Sequence, residues 1–170
     1  MSTIALPAQK ASRLQPAAAL LRSLRAYWVL IKDLQTGLLL ITAAAGYVSA
    51  CCLNLSAASL LEMLAALFLT VGGSTVLNMV YDCDIDSRMT RTQKRPLPSG
   101  LLRPTQALTV GLLMTSLGCL WAFLLDAPFG AVVLAGVLLD VLVYTMWLKR
   151  RSPFSIVLGG LAGGMPVLAG

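Results

Sequence analysis

Residues 104–125 read PTQALTVGLLMTSLGCLWAFLL, a run of 22 residues without one charged side chain. A helix needs about 20 apolar residues to cross the hydrocarbon core of a bilayer. Residues 34–61, 63–81 and 152–170 are further uncharged runs of 28, 19 and 19 residues. The chain of 170 residues is 58% hydrophobic and 12% charged, and its mean hydropathy is +0.82. This composition predicts an all-α, polytopic membrane helix bundle and excludes a soluble enzyme, a disordered tail and a disulfide-stapled secreted module.

The apolar runs predict one membrane domain with five spans. These spans cover about residues 34–53, 58–80, 105–125, 128–148 and 153–170. The 13 Lys and Arg residues form three clusters that precede the first, third and fifth spans, and the alternate loops contain none. By the positive-inside rule, residues 1–33 are a cytoplasmic tail and residues 81–104 a cytoplasmic loop. This clustering indicates a lipid bilayer, not nucleic acid, as the partner.

The chain stops at Gly170 inside an apolar run, so we expect it to be the front part of a longer protein. The basic, acid-free start is typical of a bacterial amino-terminal tail and, as the alternative, of a mitochondrial import signal. We therefore expect a bacterial inner membrane, with the mitochondrial inner membrane as the alternative. The four cysteines show no metal-binding spacing, and no histidine is present. Any chemistry must therefore use carboxylates, cations and hydroxyls.

Three oxygen-bearing side chains, which we call the acidic row, lie at the end of the second predicted span and just beyond it. If its helix continues, Asn78, Asp82 and Asp86 stand four residues apart and share one face, with about 6 Å of rise between neighbours. Carboxylates at this spacing repel each other unless a cation lies nearby. Mg²⁺ prefers oxygen ligands and needs neither histidine nor thiolate. The row therefore predicts a magnesium site, from which we leave out Asp84 because it can pair with Arg88.

Cations follow the acidic row within two helical turns. They are Arg88, Arg91, Lys94 and Arg95. Metal ions on one side and guanidinium forks on the other are the groups that bind a diphosphate. A charged cytoplasmic loop without a binding role is the plainer interpretation of any single residue, but the ordered pattern favours a diphosphate site.

Two motifs in this sequence resemble a known family. The first is Asn78-xxx-Asp82-xxx-Asp86 followed by residues 88–100, RMTRTQKRPLPSG. It closely resembles the first aspartate-rich motif of the UbiA superfamily of intramembrane prenyltransferases. The second is residues 144–166, YTMWLKRRSPFSIVLGGLAGGMP, which resembles the matching stretch of the heme O synthases within that superfamily. The likeness covers roughly residues 27–170.

The resemblance implies a bundle of about nine helices, of which this chain would supply the first five. It implies transfer of farnesyl from farnesyl diphosphate to a vinyl group of haem b, with haem A synthase as a possible downstream partner. By residue match, Asp82, Asp86 and Asn78 would bind Mg²⁺ and assist ionisation of the diphosphate. A further set would bind the diphosphate itself: Arg91, Arg95, Lys149 and Lys32.

Three alternatives stay open at this point. The chain could be a UbiA-type enzyme that prenylates an aromatic quinone precursor, or a fragment that is inactive because the family's second aspartate motif lies beyond it. A non-enzymatic transport or assembly subunit is the third. Asp140 lies within the fourth predicted span, and we expect it to snorkel or pair toward Lys149. The glycine clusters at residues 72–73 and 159–164 predict close helix packing.

Overall fold

The computed structural model describes residues 16–51, 56–149, 151 and 155–170, and every regular element in them is a helix. In chain order these are α1 (Pro16–Leu30), α2 (Asp33–Cys51), α3 (Ala57–Tyr81), α4 (Cys83–Asp86), α5 (Pro104–Leu125), α6 (Ala127–Val137), a π-helical segment (Leu138–Leu148) and α7 (Ser155–Ala169). The all-helical fold class predicted from the sequence is confirmed.

Membrane-crossing length and apolarity are found in three helices: α3, α5 and the continuous run of α6 and the π segment over Ala127–Leu148. A fourth span results if α1 and α2, bent by 59° between Leu30 and Leu34, count as one, and α7 is a shorter apolar helix. The chain is thus a multi-pass membrane protein with three or four candidate spans among the described residues, where the sequence predicted five.

The predicted tail over residues 1–33 already contains the helix α1, because Ala and Leu dominate its sequence and favour helix. Residues 1–15, with Lys10 and Arg13 of the first basic cluster, lie outside the described residues. The loop near Asn54, Arg150 and the start of the fifth predicted span also lie outside them.

Helix starts coincide with local capping signals. Ser56 precedes α3, and its hydroxyl accepts a hydrogen bond from the Ser59 amide at 3.3 Å. Asp126 separates α5 from α6 in an extended conformation, and its carboxylate accepts from the Phe129 amide at 3.3 Å. Pro104 opens α5, where a missing amide hydrogen costs nothing.

Helices α3 and α5 approach each other through glycines. A Cβ atom added to Gly73 would lie 2.6 Å from the Thr115 backbone nitrogen. One added to Gly118 would lie 2.7 Å from the Thr70 backbone nitrogen. Small residues allow this approach, which provides packing where lipid tails are as apolar as the side chains. In contrast, Gly160, Gly163 and Gly164 on α7 have nothing within 4 Å of such a Cβ in the described part of the chain.

Two buried clusters form the interior. The first joins α1, α3, the loop before α5 and the start of α5, and it consists of Ala26, Leu30, Val76, Met79, Leu97, Leu102 and Ala107. The second joins α2, α3, α5 and α6, and it consists of Ala43, Met63, Ala66, Leu67, Ala122 and Val133. The first cluster anchors the long polar loop against the end of α3, where the acidic row lies.

Candidate active site

The acidic row lies at a break in the helix. Helix α3 ends at Tyr81, and Asp82 has φ −85° and ψ −3° before the single turn of α4 begins. The row shares one face only if the helix continues through Asp86, and the structure has a break in that helix at Asp82. Two hydrogen bonds still cross the break, from the Asp82 amide to the Asn78 carbonyl at 3.0 Å and from the Asp86 amide to the Asp82 carbonyl at 2.9 Å. The chain leaves the helix after Asp86, and the side chains of the row pair with different elements.

Asp82 pairs with the end of the π segment. Its Oδ2 accepts a hydrogen bond from the Lys149 ammonium. Its Oδ1 is buried and has no hydrogen-bond partner within the described structure. A buried carboxylate oxygen normally has a partner, so this one is open to a ligand. The Lys149 ammonium also lies 5.7 Å from the centre of the Tyr144 ring, within the range of a cation–π contact.

Asp86 pairs within its own loop. Its Oδ2 accepts from the Arg95 guanidinium at 2.6 Å, and the Asp86 side chain is 10% exposed. The Thr92 hydroxyl donates to the Asp86 carbonyl oxygen at 2.9 Å. Charge pairing and this backbone bond together fold the loop back onto the end of α3. Burial, followed by the charges of Asp86 and Asp84, raises the pKa of the nearby Cys83 thiol.

Asn78 pairs across the bundle, and this corrects the expectation for Asp140. The Asn78 Nδ2 donates to Asp140 Oδ2 at 2.9 Å, and the Thr145 hydroxyl donates to Asn78 Oδ1 at 2.8 Å. We expected Asp140 to pair toward Lys149. The register of the two helices prevents this, because Asp140 lies level with Asn78 while Lys149 lies level with Asp82.

A cavity of about 350 Å³ lies between α2, α3, α6, the π segment and α7. Polar side chains line one part of its wall: Lys32, Asn78, Asp140, Tyr144 and Lys149. Apolar side chains line another part: Leu39, Leu67, Val133, Val137 and Met165. This division suits a ligand with an anionic head and a hydrocarbon tail.

The predicted diphosphate-binding set is divided between two pockets. Lys32 and Lys149 line the cavity. Arg91 and Arg95 instead line a more open groove of about 430 Å³, together with Arg25 and Lys94. Each pocket has one cation paired with the acidic row, since Lys149 of the cavity pairs with Asp82 while Arg95 of the groove pairs with Asp86.

Lys32 occupies the bend between α1 and α2. It is the one non-glycine residue with positive φ, 51°, in the part of the chain that the structure describes. The Thr75 hydroxyl on α3 lies 3.2 Å from the adjacent Ile31 carbonyl oxygen. Lys32 is within electrostatic reach of Asp82 and Asp140 as well as of Arg95 and Lys149. A strained backbone that directs a cation into a cavity is typical of functional sites.

Sequence reasoning missed the pairing of Asn78 with Asp140 and the part played by Thr145. The available signal was a carboxylate and a hydroxyl five residues apart in an otherwise apolar span. Within residues 16–51, 56–149, 151 and 155–170, no three His, Cys, Asp or Glu side chains form a group that could hold a metal. Any cation at the row would therefore need ligands from outside these side chains, such as a diphosphate.

Known proteins with similar sequences were found in archaea and bacteria. A relative from Archaeoglobus fulgidus, named protoheme IX farnesyltransferase, is 43% identical over 88% of this chain and 53% of its own length. Relatives of the same name from Korarchaeum cryptofilum and Ruegeria pomeroyi are 45% and 40% identical, over 83% and 85% of this chain. They are covered over 47% and 45% of their own lengths, so the chain spans about half the length of these relatives. No solved structure gives a significant match.

The family profile described as the UbiA prenyltransferase family matches residues 39–170. This range includes the acidic row, the loop after it, the π segment and α7. The resemblance inferred from the two motifs is confirmed, and the chain belongs to the UbiA prenyltransferase family.

Proposed function

We propose that the protein, as its gene encodes it, transfers farnesyl from farnesyl diphosphate to a vinyl group of haem b. The name protoheme IX farnesyltransferase, carried by relatives from three lineages, supports this acceptor and donor. The observation that carries the proposal is the polar part of a half-apolar cavity, which is lined by Asn78 and Lys149. Lys149 pairs with Asp82, whose Oδ1 is buried and has no hydrogen-bond partner among the described residues.

The donor atoms around Asp82 suit Mg²⁺, which prefers carboxylate oxygens together with oxygens of a substrate phosphate. Asp82 and Asp86 would hold the ion, and Asn78 would complete the same face. Each ion pair occupies only Oδ2 of its carboxylate, which supports a role for the other oxygen. When bound, Mg²⁺ neutralises the negative charge that builds on a diphosphate leaving group.

The cations of the chain would bind the diphosphate from two sides. Lys149 and Lys32 face the cavity, where each adds a positive charge near the leaving group. Arg95 and Arg91 would approach from the open groove, and Arg95 can exchange Asp86 for a diphosphate oxygen once a cation binds that carboxylate. The apolar wall would hold the prenyl tail and keep water away from the allylic cation.

The basic clusters support a cytoplasmic position for the acidic row, by the positive-inside rule. We place the protein in a bacterial inner membrane, with the mitochondrial inner membrane as the alternative. An enzyme that consumes farnesylated haem, such as haem A synthase, would be its functional partner.

The test uses membranes from cells that express the complete gene and that lack a haem farnesyltransferase of their own. Membranes with farnesyl diphosphate, haem b and Mg²⁺ should yield farnesylated haem, identified by its mass. Asp82→Asn and Asp86→Asn should each abolish the product. The matched control is Asp126→Asn, which makes the same change at a helix cap far along the chain, where asparagine caps as well as aspartate.

Two results would overturn the proposal. A prenylated phenol formed from a hydroxybenzoate, with haem left unmodified, would replace the acceptor. Unchanged product formation in both Asp→Asn variants at the row would remove the row from catalysis and favour a non-enzymatic role for it.

A further inference from the structure

Both ends of the Asn78 side-chain amide are held by one neighbouring helix. The nitrogen donates to a carboxylate oxygen of Asp140 at 2.9 Å, and the oxygen accepts from Thr145 at 2.8 Å. Asn78 is 8% exposed and Thr145 is 1% exposed, so water competes little for these bonds. A buried amide bonded at both ends has one orientation.

Asp140 determines which end of the amide faces it. An ionised carboxylate only accepts hydrogen bonds, so the amide nitrogen and not the oxygen must lie against it. The Thr145 hydroxyl oxygen lies 2.8 Å from both Asn78 Oδ1 and the Asp140 carbonyl oxygen, so its single hydrogen is shared between these two acceptors. With Asp140 in place, rotating the Asn78 amide by 180° would put two acceptors in contact.

The π-helical geometry makes this arrangement possible. Residues five apart in an α-helix point about 140° away from each other, because each residue turns the helix by about 100°. The segment instead bonds i to i−5, as in the 2.9 Å bond from the Lys149 amide to the Tyr144 carbonyl. Asp140 and Thr145 are five residues apart and therefore both reach Asn78. The π-helix is rare in proteins and frequent at functional sites, where it usually forms a single turn, whereas this segment extends over 11 residues.

We propose that Asp140 and Thr145 are positioning residues that orient the Asn78 amide for the Mg²⁺–diphosphate group. This inference rests on the proposed function and adds two residues to its site. Asn78 lines the cavity, and its amide keeps one N–H and one oxygen lone pair beyond the two bonds to the π segment. Asn78 stands one helical turn before Asp82, so this remaining capacity is available to a ligand in the cavity.

Thr145 offers a matched pair of variants for the test. Thr145→Val keeps the shape of the side chain and removes the hydroxyl, whereas Thr145→Ser keeps the hydroxyl. In the protein expressed from its complete gene, Thr145→Val should lower kcat/KM for farnesyl diphosphate by about tenfold and raise the Mg²⁺ concentration for half-maximal rate. Thr145→Ser should stay within about twofold of the wild type. A purely structural role would reduce the amount of active enzyme without moving the Mg²⁺ requirement.

A double-mutant cycle separates positioning from a direct role. In an Asn78→Ala background, Thr145→Val should have no further effect, because the group it orients is gone. Asp140→Asn should act like Thr145→Val, since an amide in place of the carboxylate accepts either orientation of Asn78. If Thr145→Val lowered kcat/KM by the same factor in the wild-type and Asn78→Ala backgrounds, the inference would be overturned.

A binding measurement keeps the inference separate from the proposed function. Titration of detergent-solubilised protein with inorganic diphosphate and Mg²⁺ should show weaker binding for Thr145→Val than for the wild type. In the Asn78→Ala background, Thr145→Val should not weaken this binding further. Wild-type protein that binds Mg²⁺–diphosphate in this pattern but makes no farnesylated haem would refute the proposed function alone. If the wild-type protein transfers farnesyl but Thr145→Val leaves the affinity for Mg²⁺–diphosphate unchanged, the positioning role alone is refuted.

Discussion

The contact between α3 and α5 predicts that Gly73→Ala destabilises the bundle. An added Cβ would lie 2.6 Å from the Thr115 nitrogen and 2.9 Å from the Gly111 carbonyl oxygen, whereas ordinary contacts begin at 3.4 Å. The two helices would therefore have to separate by about 0.5–0.8 Å along this contact, and adding a methyl group to a packed interior costs about 1–3 kcal/mol. Backbone atoms line the contact, so no side chain can move aside to relieve it.

The matched control is Gly160→Ala, because nothing lies within 4 Å of its added Cβ among the described residues. Both substitutions gain about 1 kcal/mol in helix propensity, so this gain cancels when the two variants are compared. The free energy of unfolding, measured by titrating the purified protein from mild detergent into sodium dodecyl sulfate, should be about 1–3 kcal/mol lower for Gly73→Ala than for Gly160→Ala. Equal stability of the two variants would refute the close approach of α3 and α5.

Three further predictions concern the acidic row and its loop. Lys149→Met should tighten binding of Mg²⁺ alone by roughly fivefold and weaken binding of Mg²⁺–diphosphate, both measured by calorimetry. The reason is that the Lys149 cation beside Asp82 repels the metal ion and attracts the diphosphate, each with an energy of about 1 kcal/mol in a water-like dielectric. Arg95→Gln in the presence of a chelator should lower the free energy of unfolding by about 3 kcal/mol, and adding Asp86→Asn should restore most of it, since no buried charge is then left unpaired. Gly100→Ala should cost about 1 kcal/mol in the same unfolding assay, because Gly100 has φ +74° and its added Cβ meets nothing within 4 Å; no loss would contradict the left-handed turn.

Local patterns predicted much of the fold. The apolar runs identified the regions that became α3, α5 and the continuous helix over Ala127–Leu148, because membrane crossing depends on apolar length within one segment. Local patterns failed at the ends of elements. The spacing of the row did not show the break at Asp82, and the predicted tail over residues 1–33 contains α1. Packing onto neighbouring elements determines where such helices begin and end.

The candidate site was predictable in its members more than in its pairing. The spacing of Asn78, Asp82 and Asp86, with the cations after them, indicated a metal and diphosphate site, and the roles of these residues remain proposals. Nothing in the order of residues shows that Lys149 bonds Asp82 while Arg95 bonds Asp86. The division of the cations between a cavity and a groove likewise depends on where the loop folds.

Hydropathy and motif spacing are local properties of the chain, so the residues in order were enough to identify a helical membrane protein of the UbiA family. The partners of Asn78 and Asp82 lie 62 to 67 residues away in the sequence, and the folded bundle was needed to identify them. Such pairs depend on the register between α3 and the π segment. That register is determined by close helix packing and by the π-helical segment, which together bring Asp140, Thr145 and Lys149 into line with the acidic row.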